Sequence, residues 1–264
     1  MKIGVLITAR LKSSRLPFKL LNDLNGKMVI ERVIDRAREI QNISEVVLCT
    51  STNSQDRPLV DIAKKHGIYY FNGSEDDVLY RLLTAAQFYE MDYFINITAD
   101  NPLFSVHYAN LVADSLRREE RDFIKITGLP LGTACYGLKT KAVELVCRFK
   151  ELADTEIWGY LINRPEIFNV KEIEATAELY RPGLRLTLDY QEDYNLINKL
   201  YHNISFDHVL HLHNVMNYLE NNSDLIKINA HCEQKQLDIK TRQMIDDMFA
   251  SHRDEILSMK QLIY

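Results

Sequence analysis

The fold of this chain is indicated first by a stretch near its start, Lys2-Ile-Gly-Val-Leu-Ile-Thr8-Ala9-Arg10-Leu-Lys12-Ser13-Ser14-Arg15-Leu-Pro-Phe-Lys19. The apolar run at 3–7 predicts a buried β-strand. Small residues and cations follow it at once, and backbone N–H groups in a tight turn, together with Arg and Lys side chains, can bind phosphate oxygens. The same pattern also suits a strand followed by a solvated basic loop, so this stretch alone leaves both interpretations open.

The first hundred residues alternate between short apolar runs and segments with helical periodicity. Strands are expected at 2–8, 45–49, 68–71 and 93–98, and helices at 28–40, 58–66 and 78–89. This alternation with short connections predicts a parallel sheet covered by helices, with right-handed crossovers. Ligands of such sheets bind beyond the carboxyl ends of the strands. The basic loop, the loop at 50–56, the turn at 72–77 and Asp100 are expected to meet there.

Beyond residue 105 the pattern is less regular. Strands are expected at 122–127, 133–138, 169–174 and 184–188, and helices at 107–118, 142–149, 155–163 and 192–201. From residue 207 onward the pattern is almost entirely helical. We therefore divide the chain into an α/β domain, 1–215, and a helical C-terminal extension, 216–264. The apolar stripes of the extension would either join two chains in a homodimer or fold back on their own domain.

Composition excludes several classes of function. The 264 residues are 46% hydrophobic and 26% charged, as in ordinary globular proteins, and the net charge of -5 argues against nonspecific nucleic-acid binding. No apolar run is long enough to cross a membrane or to act as a signal peptide. The four cysteines show no CxxC spacing, which argues against a zinc site and suits a reducing cytoplasm. Walker A and GxSxG motifs are absent, which argues against a P-loop NTPase and an α/β hydrolase.

Two aspartates follow apolar runs at the expected edge of the sheet. Asp100 follows the run at 93–97, and Asp189 follows Leu184-Arg-Leu-Thr-Leu. A carboxylate at the end of a buried strand is costly unless it is paired or binds a metal ion. Two such carboxylates can share Mg²⁺ with phosphate oxygens of a substrate. Either aspartate could instead cap the helix that follows it, but the basic loop opposite favours a metal site.

The turn Ser74-Glu-Asp-Asp77 also allows two interpretations. It fits a helix N-cap followed by acidic residues that the helix dipole favours. The functional alternative is recognition of the base or ribose of a nucleotide. Taken alone, the turn favours the cap.

Five motifs occur in order: Ala9-Arg-Leu-Lys-Ser-Ser-Arg-Leu-Pro-Phe-Lys19, Thr50-Ser-Thr-Asn53, Gly73-Ser-Glu-Asp-Asp-Val78, Ile97-Thr-Ala-Asp-Asn-Pro-Leu103 and Leu186-Thr-Leu-Asp-Tyr-Gln-Glu-Asp193. Together they resemble the cytidylyltransferases that make CMP-activated acidic sugars. The branch that the chain resembles most is the spore-coat polysaccharide SpsF type, with relatives among the CMP-KDO and CMP-sialate synthetases. The resemblance covers residues 1–215.

The resemblance implies a Rossmann-like, GT-A-like nucleotidyltransferase fold, in which a mostly parallel sheet is the middle layer of a three-layer α/β sandwich. It implies CTP as substrate, Mg²⁺ as cofactor, and an anionic small-molecule acceptor such as an acidic sugar of the KDO or nonulosonate type, a phosphate or a phosphonate. The catalytic residues would be Arg15, Lys19, Asp100 and Asp189, and the two aspartates would bind the metal. The nucleotide would be bound by Thr8, Ala9, Arg10, Ser13, Ser14, Arg15, Lys19, Ser51, Ser74, Glu75 and Thr98.

The sequence departs from the pattern of this family in two regions. In the basic loop, Lys12 and Phe18 stand where the family usually has glycine. At 132–136 and 154–158 the family commonly has acidic residues and an Arg-Glu-His-type sequence, respectively. Because acceptors bind in that half, the acceptor stays open. The alternative function is a non-catalytic nucleotide-binding or scaffolding module of a surface-polysaccharide pathway, against which the presence of both aspartates and of Arg15 and Lys19 argues.

Overall fold

The computed structural model describes residues 1–264. Its strands are β1 (Ile3–Thr8), β2 (Val46–Ser51), β3 (Tyr69–Gly73), β4 (Tyr93–Thr98), β5 (Phe123–Thr127), β6 (Tyr136–Lys139) and β7 (Val170–Glu174). They form one sheet in the order β3-β2-β1-β4-β6-β5-β7. All neighbours are parallel except β6, which is antiparallel to both β4 and β5. The sheet is therefore mostly parallel, as expected.

Ten α-helices accompany the sheet: α1 (Val29–Arg38), α2 (Arg57–Lys65), α3 (Val78–Phe88), α4 (Val106–Arg118), α5 (Thr140–Phe149), α6 (Gly159–Ile162), α7 (Gln191–Asn203), α8 (Leu212–Asn221), α9 (Ile239–Ser251) and α10 (Arg253–Ile263). One apolar core packs α1, α2, α4, α7 and α8 against one face of the sheet, and a second core packs α3, α5, α6, α9 and α10 against the other. Strand β1 shows why both faces are covered, since Val5 and Ile7 lie in the first core and Leu6 in the second. The fold is the predicted three-layer sandwich.

The register of the central strands places the basic loop beside Asp100. Thr8 pairs with Thr98 at the carboxyl ends of β1 and β4. The Ala99 N–H then donates to the Thr8 carbonyl at 2.9 Å, so the two chains leave the sheet side by side. Asp100 follows directly. Local strand pairing is therefore enough to bring the start of the basic loop and this carboxylate together.

Segment 184–188 is not the strand that its alternating pattern predicts. Leu131 makes a single bridge with Arg185, and the Leu188 N–H donates to the carbonyl of Asp100 at 2.9 Å. The alternating side chains are nevertheless buried. The intervening Arg185 and Thr187 are buried as well, so the segment is a buried irregular connection without a ladder to a neighbouring strand. The predicted helix at 155–163 is likewise only the short α6.

Gly132 explains how this segment comes so close to the sheet. Its φ of +88° is left-handed, and a Cβ atom there would lie 2.4 Å from the Thr187 backbone nitrogen. Only glycine combines that conformation with that approach. The close contact fixes where the segment passes, two residues before Asp189.

The C-terminal helices pack against their own chain. Met216 and Leu219 of α8 lie in the first core, and Ile245 and Met248 of α9 lie in the second. Between α8 and α9, residues 223–228 form a 3₁₀ helix and residues 229–238 form no helix, which the sequence pattern did not predict. No helix is long and apolar enough to span a membrane.

Candidate active site

The basic loop keeps a conformation that normally calls for glycine. Phe18 has φ 56° and ψ 20°, in the left-handed region, and its side chain is exposed. A bulky residue in that region costs roughly 1–3 kcal/mol. The next residues, Lys19–Leu21, form a 3₁₀ helix that points Lys19 inward. The departure from the family pattern at position 18 therefore leaves a glycine-like turn in place.

The centre of the site is a lysine between two carboxylates. Lys19 Nζ lies 2.7 Å from Asp100 Oδ2 and 2.8 Å from Asp189 Oδ1. Lys19 and Asp189 are buried, whereas a quarter of the Asp100 side chain is exposed. The structure thus brings together three of the four residues expected to carry catalysis.

Arg15, the fourth, approaches from the exposed side of the same site. Its Nη2 atom donates to Asp189 Oδ1 at 2.8 Å, and its guanidinium lies 5.0 Å from the centre of the Tyr190 ring. Arg185 approaches Asp189 from the other side, with Nη2 3.1 Å from Oδ2. Asp189 therefore contacts three cations, and Asp100 contacts one.

Asp193 organises the segment that carries Asp189. It is fully buried and accepts hydrogen bonds from two groups of Arg185 and from the backbone N–H groups of Asp189 and Tyr190. Its fifth bond comes from Asn229 Nδ2 at 2.8 Å, on the non-helical segment after the 3₁₀ helix. A carboxylate that satisfies five donors fixes its neighbours rigidly. Asp189 is therefore placed by side chains rather than by a strand.

The opposite charges in this cluster change the pKa values of Asp189 and Lys19. Burial alone would raise the pKa of Asp189, but Lys19, Arg15 and Arg185 outweigh it, and the pKa is lowered. Burial would likewise lower the pKa of Lys19, but Asp100 and Asp189 raise it. Lys19 and Asp189 are consequently both charged near neutral pH.

A second polar cluster lies at the Ser74 turn. Arg10 Nη1 donates to the Glu75 carbonyl at 2.7 Å. The Glu75 carboxylate accepts from Lys12 Nζ at 3.0 Å and from Asn53 Nδ2 at 3.1 Å, and these two contacts lower its pKa. Lys12, another departure from the family pattern, therefore ties the basic loop to this turn. Three of the expected sequence motifs converge here.

Arg81 of α3 lies behind the Ser74 turn and was not predicted. It is fully buried, and its Nη1 donates to the carbonyls of Ser74 and Glu75. Burial lowers its pKa to about 10. Because its other nitrogens have no partner, the cost of burial is offset only by the two turn carbonyls. Arg81 thus holds the turn from the α3 side, and Arg10 holds it from the side of the basic loop.

The small polar residues predicted to bind nucleotide have structural partners of their own. Ser51 donates to Asp56, whose other oxygen accepts from the Leu11 N–H at 2.7 Å. Asp56 therefore anchors the basic loop. Ser13, Ser74 and Thr98 each accept a hydrogen bond from the residue three positions later, and Thr8 accepts one from Asn96 of β4. Ala9 is buried, and Ser14 is exposed without a hydrogen bond.

The carboxylate pair suits a hard divalent cation. Asp100 Oδ2 and Asp189 Oδ1 already converge on one cationic atom, the Lys19 nitrogen. Oxygen donors of carboxylates are the ligands that Mg²⁺ prefers, completed by substrate phosphate oxygens. These two residues could hold such an ion and Arg15 could face the phosphates.

Sequence reasoning missed Arg185, Asp193 and Asn229. Asp193 closes the fifth motif, four residues after Asp189, which is a local signal. Arg185 lies inside a run that resembles a strand, which hid its role. Asn229 has no sequence signal, because only the fold brings it to Asp193.

Comparison with known proteins shows the family of this chain. The family model described as cytidylyltransferase matches residues 4–235. An uncharacterized protein of Methanocaldococcus jannaschii is 29% identical over 89% of this chain and 97% of its own length. The Bacillus subtilis spore coat polysaccharide biosynthesis protein SpsF is 28% identical over 74% of this chain and 85% of its own. The 3-deoxy-manno-octulosonate cytidylyltransferase of Chloroherpeton thalassium is 35% identical over 69% and 71%.

Solved structures share the fold. A cytidylyltransferase from Leptospira borgpetersenii has a TM-score of 0.80 at 24% identity, covering 90% of this chain and 100% of that one. A CMP:2-keto-3-deoxy-manno-octonic acid synthetase complexed with CTP has a TM-score of 0.60 at 17% identity, covering 77% and 99%. These likenesses confirm the nucleotidyltransferase fold. Since the family model spans most of the sequence, this chain is a nucleotidyltransferase and belongs to the cytidylyltransferase family.

Proposed function

We propose that this enzyme transfers CMP from CTP to an anionic acceptor and releases pyrophosphate in a Mg²⁺-dependent reaction. The observation that carries the proposal is the convergence of Arg15, Lys19, Asp100 and Asp189 on one point beyond the carboxyl ends of β1 and β4. A triphosphate needs cations and a metal site at such an edge. Family membership and the CTP-bound neighbour support CTP as the nucleotide.

In this reaction an acceptor oxygen attacks the α-phosphorus of CTP, and pyrophosphate leaves in line. Lys19 and Arg15 would bind phosphate oxygens and neutralise charge on the leaving group. The metal, held by Asp100 and Asp189, would supply further charge neutralisation. No side chain in the site is placed as an evident general base, which suits an acceptor that is already anionic.

The nucleoside would lie at the second cluster. Arg10, Ser74 and Glu75 are joined there by hydrogen bonds that run from the basic loop to the start of α3. The Ser74 carbonyl accepts one hydrogen bond, from Arg81, and its second lone pair is an acceptor of the kind that would read the amino group of cytosine. We therefore assign base recognition to this turn and triphosphate binding to Arg15 and Lys19.

The acceptor is proposed as an acidic sugar of the KDO or nonulosonate type, a phosphate or a phosphonate. The relatives named for 3-deoxy-manno-octulosonate and for spore coat polysaccharide support the sugar class. The segment at 154–158 bears on this choice, since Thr155 is buried and donates to Asp77 Oδ1 at 2.9 Å. That segment supports the nucleoside turn and offers no cation to an acceptor.

Two further proposals concern location and assembly. All four cysteines are free, two of them buried, which supports a reducing compartment such as the cytoplasm. A homodimer through the C-terminal helices stays a prediction. Only part of their apolar surface is available for it, since Leu262 is exposed while Ile245 and Ile256 are buried against the chain itself.

The proposal is tested by pyrophosphate release from CTP with Mg²⁺ across a panel of acidic sugars, sugar phosphates and phosphonates. We expect release with at least one member and none without acceptor. Calorimetry should show CTP bound more tightly than ATP or GTP; equal binding of all three would remove the base assignment. CTP binding without turnover on any acceptor would instead favour a non-catalytic nucleotide-binding module.

A further inference from the structure

The ammonium of Lys19 occupies the place where a metal ion would be held. Its nitrogen contacts one oxygen of each aspartate, at 2.7 and 2.8 Å, and the side chain is only 10% exposed. For Asp100 this lysine is the sole side-chain partner. Binding of phosphate oxygens alone does not require a lysine to be buried between two carboxylates.

The lysine and a metal ion compete for the same atoms. A divalent ion held by Asp100 Oδ2 and Asp189 Oδ1 at about 2.1 Å would lie within about 5 Å of the Lys19 nitrogen if the lysine stayed. Like charges at that distance in a partly buried site repel strongly. Occupation by one cation therefore excludes the other.

The charges of the cluster are already balanced without a metal. Three carboxylates, Asp100, Asp189 and Asp193, face three cations, Arg15, Lys19 and Arg185. A free divalent ion would thus meet no net negative charge, and it would have to leave a buried ammonium without a partner. A triphosphate changes this balance, because its oxygens offer Lys19 a new partner.

We propose that Lys19 is an exchangeable counter-ion. In the nucleotide-free enzyme it holds the two carboxylates together, and it turns to the triphosphate when the metal takes its place. The flexible four-carbon stem of lysine permits that movement. This inference rests on the proposed function for the identity of the nucleotide. It adds that the two aspartates become free to hold the metal only when the triphosphate draws Lys19 away, so the metal does not bind before the nucleotide.

The test is a Mn²⁺ titration of the nucleotide-free protein. The concentration of free Mn²⁺ is measured at each step by electron paramagnetic resonance. Lys19→Met removes the competing charge, so Mn²⁺ should bind about ten- to a hundredfold more tightly than to the wild type. The matched control is Lys27→Met, which removes a lysine paired with a buried carboxylate, Asp35, outside the site. It should leave Mn²⁺ affinity unchanged, and Lys19→Arg, which keeps the charge, should leave it low.

The order of the two proteins should reverse for nucleotide affinity. Lys19→Met, which binds Mn²⁺ more tightly, should bind CTP more weakly than the wild type does. Mn²⁺ affinity of Lys19→Met equal to or below that of the wild type would overturn the exchange. So would tight Mn²⁺ binding by the nucleotide-free wild type, a measurement that needs no variant. The titration uses neither nucleotide nor acceptor, so failure of the proposed reaction and failure of the exchange give different results. If circular dichroism shows that Lys19→Met is unfolded, Lys19→Gln takes its place.

Discussion

Asp100 and Asp189 meet at one lysine, but the two carboxylates are held there in different ways. Asp100 follows β4, a central strand that pairs with β1 along its whole length. Asp189 follows a segment that makes one isolated bridge, and it is fixed by Arg185 and Asp193. Backbone pairing positions one half of the site, and a buried ionic network positions the other.

The comparison shows where charge matters for the fold. Near Asp100 the ladder and the apolar core would persist if charges were removed, because packing fixes the chain. Near Asp189 the chain is irregular, and one buried carboxylate with five donors holds it in addition to packing. We therefore expect charge substitutions to destabilise the second half more than the first.

The largest effect is expected for Asp193→Asn. Asn cannot compensate the buried Arg185 guanidinium, and breaking a buried ion pair in this way costs about 3–5 kcal/mol. We expect the free energy of unfolding, measured by urea denaturation, to fall by about that amount. Turnover should fall as well, because Asp189 loses its support.

The control for this variant lies on the strand side of the site. Ser105 caps α4, whose N-terminus follows Asp100, and it accepts a hydrogen bond from the Tyr108 N–H. Ser105→Ala should cost about 1 kcal/mol, the usual effect of a lost cap. Equal losses for the two variants would remove the distinction between the halves.

A smaller effect is expected for Lys19→Ala on ligand binding. Lys19 touches both halves, and in the complex it would face the β- and γ-phosphates, which CMP lacks. Loss of one charge-assisted contact costs roughly 1.5–3 kcal/mol, so CTP binding should weaken about ten- to a hundredfold while CMP binding changes less. Calorimetry with both ligands measures this. Equal weakening for CTP and CMP would place Lys19 away from the β- and γ-phosphates.

The smallest effect is expected at Glu31, a buried carboxylate of the regular half. Burial opposes its ionisation, but His66, the Met28 N–H and Lys65 lower its pKa from 4.5 to about 2. A lowered pKa stabilises the folded state fully above about pH 4.5, and this stabilisation is lost as the pH falls towards 2. Glu31→Gln should cost about 1–2 kcal/mol at pH 7, because Gln can still accept from the Met28 N–H and because Lys65, one of the lost charge partners, is exposed.

Urea denaturation of the wild type and Glu31→Gln at pH 7 and pH 3.5 checks this. The difference between the two proteins should shrink at the lower pH. A difference that grows at pH 3.5, or a loss at pH 7 as large as that of Asp193→Asn, would contradict it.

The difference between the regular half around Asp100 and the irregular half around Asp189 also explains how much could be predicted from the sequence. The first four strands and three helices follow from local periodicity, and Arg15, Lys19 and Asp100 follow from the resemblance and from strand ends. Asp189 was predicted at the end of a strand, and that strand does not form. Its direct supports, Arg185 and Asp193, are each four residues away, but they are held in turn by Asn229, which lies 36 residues from Asp193. Periodicity carries no signal for such contacts.

The central claim is that both aspartates act together on the metal although they are held differently. The most direct measurement is CTP turnover against Mg²⁺ concentration for Asp100→Asn and Asp189→Asn. Asn keeps the size and the capping ability of Asp but loses its charge. Both variants should lose turnover at every Mg²⁺ concentration while remaining folded. The melting temperature should fall further for Asp189→Asn, which leaves three cations less compensated. Near wild-type turnover with unchanged Mg²⁺ dependence in either variant would remove that aspartate from the site and contradict the account.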